Sequence, residues 1–316
     1  MGRFFRRTRL WKGRCGIVLE LDKIATEQRN ERSKHIDEVS TLELVTIINE
    51  EDKKVPEAIE KILPQIAEAI DCIVKRFRQG GRLFYIGAGT SGRLGILDAA
   101  ECPPTYNTDP EMVQGIIAGG YRAIFQAQEG AEDSEQLARE DLQAKQITNK
   151  DIVVGLTASG RTPYVLGGLK YALECGAASI AIACTQHAAS ESFAQIQLSA
   201  LVGPEVVTGS TRMKAGTAEK LILNMLSTGA MIKLGKVYGN LMVDVKASNK
   251  KLEERAKRIV MAGANCDRSI AERTLTKAGG SVRLAIFMLL SGLEVVEAEK
   301  QMRLGCMLQN CKQGEI

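Results

Sequence analysis

Histidine is almost missing from this chain. His35 and His187 are the only two, which argues against a histidine triad and against a multi-histidine metal centre. No two cysteines have CxxC spacing. The eight (Cys15, Cys72, Cys102, Cys175, Cys184, Cys266, Cys306 and Cys311) are scattered, several in apolar runs such as 180–184. They read as reduced, buried thiols of a reducing compartment. No apolar run reaches the roughly 18–20 residues that a membrane-crossing helix needs. The phosphate-loop pattern GxxxxGK[ST] is absent, as are long-period repeats and low-complexity tracts.

An excess of one charge is missing too, once its source is removed. The formal net charge is +4, but Arg3, Arg6, Arg7, Arg9, Lys12 and Arg14 crowd the first 14 residues without an acid. Of 42 basic residues these six leave 36, against 38 acidic ones, so the body is near neutral and gives no sign of a nucleic-acid partner. The basic start is followed by a short apolar stretch, Cys15 to Leu19, which Glu20 and Asp22 interrupt. That is too short for an export signal. A natural start near Val18 or Leu19 is the plainer expectation, and residues 1–18 carry no weight in the fold. Without an export signal or a membrane span, the expected location is the cytoplasm.

What is present is ordinary globular material: 45% apolar and 25% charged residues over 316 positions. That length suits one large domain with or without a small appendage. Residues 56–78 repeat apolar groups at helical spacing, from Ile59 through Ile62, Ile66, Ile70 and Ile73 to Phe77. Pro56 fits the first turn, Gly80-Gly81 ends the element, and Pro64 should bend it. Apolar runs at 83–86, 112–118, 152–156, 179–183 and 196–202 read as strands. Helical patterns at 91–100, 121–128, 134–145, 163–175 and 188–193 lie between them. Alternation of this kind predicts an α/β fold, a doubly wound parallel sheet with helices on both faces in three layers. Ligands of such sheets bind beyond the carboxyl ends of the strands. The strand signal stops after residue 211. Residues 212–233 read as one long apolar helix and 250–316 as several short ones, a small C-terminal helical subdomain.

Three loops share one chemistry. The first strand runs into Gly87-Ala88-Gly89-Thr90-Ser91-Gly92-Arg93, and the third into Ala158-Ser159-Gly160-Arg161-Thr162-Pro163. The last loop is Thr208-Gly209-Ser210-Thr211-Arg212-Met213-Lys214. Glycine lets backbone approach a ligand, free amides at a helix start face an anion, and hydroxyls add hydrogen bonds. Phosphate is the usual anion held this way. The plainer alternative for each loop is an N-cap at Ser91, Thr162 or Ser210. Gly87, Gly89 and Gly92 also match GxGxxG. However, the next strand ends in Ala118-Gly119-Gly120, without the acid a dinucleotide ribose wants.

With histidine so scarce, acid/base work falls to Glu, Asp, Lys or Tyr. Glu101 precedes Pro103-Pro104, a pair expected to stop its helix and fix the carboxylate near the sheet edge. Glu129, Glu132 and Asp133 form a second acidic cluster, which could also be a solvated turn. Asp98 shares a helix face with Glu101 and reads as structural.

These stretches together resemble the N-acetylmuramic acid 6-phosphate etherase family, of the sugar-isomerase (SIS) fold group. The resemblance runs from about Ser40 past Val245. It rests on 86–98 with Glu101-Cys102-Pro103-Pro104-Thr105-Tyr106, on 129–134 and 158–164, and above all on 203–220. It implies an SIS-type catalytic domain over 40–245, behind a leader and arm over 1–39 and ahead of the helical subdomain over 246–316. It implies removal of D-lactate from N-acetylmuramic acid 6-phosphate by β-elimination and water addition, with no metal and no cofactor. Glu101 then matches the proton donor and Glu132 the second catalytic residue. Gly89, Thr90, Ser91, Ser159, Gly160, Arg161, Thr162, Ser210 and Lys214 would hold the sugar phosphate. A homodimer, in which the partner chain could complete each site, is implied as well. The rivals are a sugar-phosphate-sensing regulator like the glucokinase regulatory protein and a sugar-phosphate isomerase. A regulator of that type resembles two tandem copies of the domain, and this chain has one strand–loop set.

Overall fold

The computed structural model describes residues 25–245, 250–306 and 308–311; the expectations about the basic leader lie outside them. Two single 3₁₀ turns (25–27 and 31–33) precede helices α1 (Thr41–Asp52), α2 (Lys54–Glu60) and α3 (Leu63–Arg78). Then strand and helix alternate: β1 (Leu83–Gly87), α4 (Gly89–Tyr106), β2 (Val113–Ile117), the short α5 (Tyr121–Phe125), α6 (Glu135–Ala144) and β3 (Ile152–Leu156). They continue with α7 (Pro163–Glu174), β4 (Ala178–Ala183), β5 (Ile196–Ser199) and α8 (Lys214–Lys233).

The five strands form one parallel sheet in the order β2-β1-β3-β4-β5. β1, β3 and β4 are buried along their whole length, as expected of strands covered on both faces. Their side chains divide by alternation. Leu83, Tyr85, Val154 and Ile180 pack with α3, α4 and α8, while Phe84, Ile86, Val153 and Ala181 pack with α6 and α7. The result is the three-layer sandwich that the apolar pattern predicts. The chain leaves β1 toward β2 on one side and returns to β3 on the other, so the strand order reverses between the carboxyl ends of β1 and β3. That crevice is where a ligand of such a sheet sits.

Three expectations about helices need correction. Pro64 does not bend one helix over 56–78. It sits in the first turn of α3, and the chain breaks at 61–62 to separate α2 from α3. Proline lacks the amide that would continue the ladder and restricts the residue before it, so starting a new helix is easier than bending the old one. Pro103-Pro104 does not stop α4 near residue 100. Both prolines lie inside its last turns, and the helix ends at Tyr106, where Asn107 takes φ +50 and donates its N–H to Pro103 O. Residues 189–193 form a 3₁₀ turn rather than an α-helix, and β5 stops at Ser199 rather than 202.

Beyond α8 a two-residue hairpin, β6 (Val237–Tyr238) with β7 (Leu241–Met242), leads into α9 (Lys250–Ala264), α10 (Arg268–Lys277), α11 (Val282–Ser291), α12 (Val295–Arg303) and α13 (Leu308–Cys311). These close around a core of their own, centred on Phe287, Ile286, Val260 and Ala271. Arg283 of α11 pairs with Asp244 at 2.8 Å, which Lys236 also reaches at 2.9 Å. No helix among the described residues is long and apolar enough to cross a membrane. The seven described cysteines are free thiols; Cys102 and Cys184 are buried, and the other five are half-buried rather than buried as expected.

Candidate active site

The carboxyl edge of the sheet collects the loops. At the end of β1, Gly87 and Gly92 face each other so closely that a Cβ on Gly92 would lie 2.7 Å from Gly87 O. This contact lets α4 start directly off the strand. Gly89 takes φ +53, and Thr90 and Ser91 follow in the first turn. At the end of β3, Gly160 takes φ +69 against Ala188, which turns the backbone back toward α7. There Thr157 Oγ1 and Thr162 Oγ1 lie 2.9 Å apart, and Ser159 Oγ accepts the Arg161 N–H at 3.3 Å.

None of the three hydroxyls acts as a helix cap. Ser91 lies inside α4, whose N-cap is Ala88. Thr162 is the N-cap of α7 but accepts no capping bond, and Ser210 lies ahead of α8, whose N-cap is Met213. Caps do occur where nothing else is at stake, as with Ser40 on α1, Ser134 on α6 and Ser281 on α11. The first-turn N–H groups of α4, and in α7 those that follow Pro163, which has none, are therefore left without a capping side chain on either side of the crevice, each at the positive end of a helix.

α8 differs. Its first two amides, those of Lys214 and Ala215, donate to the Glu205 carboxylate at 3.0 Å each. Its start is occupied, so of the three expected anion seats the structure offers two. Lys214 is the clearest correction. Its side chain is 1% exposed, and its ammonium donates to Glu51 Oε2 at 2.7 Å. It is spent inside the protein rather than offered to a ligand. The loop ahead of it is braced by the N-terminal arm, where Ser33 Oγ donates to Val206 O at 2.7 Å and Asn30 Nδ2 to Pro204 O at 3.1 Å.

Beside Gly89 lies a cavity of about 170 Å³, lined by Ala88, Arg93, Gln128, Glu129 and Glu132 among others. Glu132 stands on the 3₁₀ turn 131–133, exposed to solvent. Arg93 is fixed there by donating to Ile124 O and Ala123 O, both at 2.7 Å. Glu101 does not line this cavity. It is exposed on α4, 12 residues past Gly89, which is about 18 Å along a helix axis. One chain thus presents Glu132 and the hydroxyl loops on one edge and Glu101 well away from it. Asp98 is buried: Asn224 Nδ2 donates to it at 2.9 Å and Ser227 Oγ at 3.0 Å. This fits its structural reading.

Residues 65–173 match the model of the glucokinase regulatory protein N-terminal SIS domain. Sequence relatives extend over nearly the whole chain. An N-acetylmuramic acid 6-phosphate etherase of Clostridium beijerinckii is 60% identical over 280 residues, 89% of this chain and 92% of that protein. One of Photorhabdus laumondii is 56% identical over 283 residues, 90% of this chain and 94% of its own length. The chain belongs to the N-acetylmuramic acid 6-phosphate etherase family. Among solved structures, a phosphoheptose isomerase from Francisella tularensis overlays with a TM-score of 0.47 at 16% identity, covering 61% of this chain and all of that one.

Two groups of the etherase escaped the sequence reading. Arg93 was visible only as part of a loop motif. Glu219 lay within the 203–220 stretch but was assigned no role. It lies on α8, 1% exposed, with Ser91 Oγ donating to its Oε1 at 2.8 Å. Burial pushes its carboxyl up to about 8, and the Ser91 hydrogen bond opposes this only in part. The opposite case is Glu51. Burial pushes its carboxyl up as well, but hydrogen bonds from Lys214, Lys54 and Asn30 outweigh that and hold it at about 2.

Proposed function

We propose that the chain cleaves the C3 lactyl ether of N-acetylmuramic acid 6-phosphate with Glu101 and Glu132, while the edge formed by Gly89–Ser91 and Ser159–Thr162 holds the 6-phosphate. The observation that most supports this reading is that edge itself. Two helix starts without side-chain caps and several hydroxyls flank the strand-order reversal, with Glu132 in the adjoining cavity. In the open-chain sugar the C1 aldehyde acidifies the C2 proton. A base removes that proton and the C3–O bond breaks, while an acid delivers a proton to the departing lactate oxygen. Water then adds at C3 of the unsaturated aldehyde, and a proton returns to C2. Two carboxyl groups suffice for these transfers, each worth about 10²–10⁴-fold in rate. Phosphate binding remote from C2 and C3 supplies the positioning.

The separation of Glu101 from Gly89 leads to the second part of the proposal: the working unit is a homodimer, and Glu101 serves the site of the partner chain. It acts in the cytoplasm, where thiols such as these stay reduced. The test uses two inactive variants. Glu101→Gln and Glu132→Gln each lose about 10²–10⁴-fold in D-lactate release. Mixed and allowed to exchange subunits, they regain a substantial fraction of wild-type turnover, since each mixed dimer holds one intact pair. Failure of the mixture to recover, with exchange verified by mass spectrometry, would place both glutamates in one chain. Undiminished turnover in either variant would remove that residue from the reaction.

A further inference from the structure

Ser91 has one hydrogen to give, and the structure already directs that hydrogen or its lone pair at a buried glutamate. Glu219 Oε1 lies 2.8 Å from Ser91 Oγ. Its other oxygen, Oε2, is buried without a protein partner. The groups facing it from neighbouring elements are few. From α4 there is Ser91 itself. Just past β4 there is the Cys184 thiol, which burial first, and then Glu219 and Glu205, drive away from ionisation. On α8, the Lys214 ammonium is held by Glu51 and the Glu205 carboxylate by two amides. Among the described residues no cation pairs with Glu219. An ionised carboxylate here would leave Oε2 as a buried anionic oxygen with no donor. A proton carried on Oε2 would find no acceptor. The arrangement that leaves least unmet is a neutral carboxyl: its proton on Oε1 is donated to Ser91 Oγ, and Oε2 stays an uncharged carbonyl oxygen.

We propose that Glu219 is a positioning residue for the phosphate edge: its neutral carboxyl donates to Ser91 Oγ and frees the Ser91 hydrogen for a phosphate oxygen, whereas its carboxylate takes that hydrogen for itself. This rests on the reading that Ser91 contacts the 6-phosphate. A serine hydroxyl has a single donor and two acceptor pairs, so the two uses of its hydrogen exclude each other. Binding of a phosphate dianion and protonation of Glu219 therefore favour one another, and binding above the ionisation of Glu219 takes up a proton. The upward displacement of that group toward 8 puts the effect just above neutral pH. The phosphate monoester, with its second pKa near 6, is already dianionic there and does not titrate.

The experiment measures binding of the product, N-acetylglucosamine 6-phosphate, to the full-length protein by calorimetry at pH 7, 8 and 9, with the KM for substrate alongside. The wild type weakens roughly tenfold from pH 7 to pH 9, the loss of one hydrogen bond to a charged group. Near pH 8 it takes up a fraction of a proton, read from heats in buffers of different ionisation enthalpy. In Glu219→Gln the amide donates to Ser91 at every pH, so affinity and KM stay level; at pH 9 the affinity exceeds that of the wild type and KM lies below it. Ser91→Ala binds roughly tenfold more weakly at pH 7 and is also level. If Ser91→Ala binds like the wild type, the phosphate reading of this loop falls. If Ser91→Ala is weakened but Glu219→Gln keeps the wild-type pH slope, only the role of Glu219 falls. Absence of proton uptake by the wild type near pH 8 overturns the proposal without any variant.

Discussion

Glu51 and Glu219 are the same residue type, both essentially without solvent exposure, one packed against the start of α8 and the other on it, yet their carboxyl groups are shifted in opposite directions. Glu51 receives Lys54 at 2.6 Å, Lys214 at 2.7 Å and Asn30 at 2.9 Å. Glu219 receives one hydroxyl and leaves an oxygen bare. Burial pushes both upward; the donors decide whether the push succeeds. The two regions serve different ends. The Glu51 cluster ties the N-terminal arm, α1 and the start of α8 into one support beneath the 203–214 loop. The Glu219 side, a turn further along the same helix, stays soft enough electrostatically to respond to what sits on Ser91.

The largest test of this contrast removes a donor from the charged side. Lys214→Ala leaves Glu51 buried with a half-exposed Lys54 as its remaining bonded ammonium. Breaking a buried pair on one side costs about 3 kcal/mol, seen as a clear fall in thermal midpoint. At a temperature where the variant is folded, KM for the sugar phosphate stays near the wild-type value. An unchanged midpoint with a raised KM would return Lys214 to the ligand and undo the correction made above.

That correction shows what a sequence can and cannot carry. β1, β3 and β4 were legible because burial on both faces writes them as near-continuous apolar runs. The loops after β1 and β3 were legible because glycine and hydroxyl residues follow those runs directly. Lys214 was misread because its partner Glu51 is 163 residues away. A lysine after Ser210-Thr211-Arg212 looks like an offered cation until the fold buries it. Glu219 was given no role for a similar reason, since its partner Ser91 is 128 residues away. Proline misled in both directions, breaking the chain ahead of Pro64 where a bend was expected and permitting α4 to continue through Pro103 and Pro104. Glu101 was singled out by its motif, but its distance from Gly89 follows from the unbroken helix between them, which the loop motif alone does not show.

The second test follows stability with pH, and the two carboxyl groups enter with opposite signs. Glu219 is raised in the fold, to about 8 from an ordinary 4.5, so its contribution is complete below about 4.5 and is lost as pH climbs toward 8. Glu51 is depressed, to about 2, so its contribution is complete above about 4.5 and is lost as pH falls toward 2. Glu219→Gln should therefore gain on the wild type between pH 5 and 8 and hold that advantage above it. Thermal unfolding of both proteins at half-unit pH steps reads the difference. An advantage that is constant from pH 5 to 9 would mean that Glu219 is ionised in the folded protein as it is in the unfolded one, with no upward shift.

The smallest test removes the uncharged donor. Asn30 reaches Glu51 Oε2 at 2.9 Å and Pro204 O at 3.1 Å from the same amide nitrogen. Asn30→Ala deletes both bonds while Lys54 and Lys214 stay in place, so Glu51 remains ionised and the expected loss is about 1 kcal/mol. The arm is the element most affected, because it keeps the Ser33 bond to Val206 O but loses the Asn30 bond to Pro204 O. Limited proteolysis should cut the arm faster in this variant, with cleavage elsewhere at the wild-type rate. If Asn30→Ala instead destabilised the protein as much as Lys214→Ala, the carboxylate would depend on its amide donor as heavily as on its cations. The charge state of Glu51 would then be a matter of total hydrogen bonding rather than of the ammonium groups that Glu219 lacks.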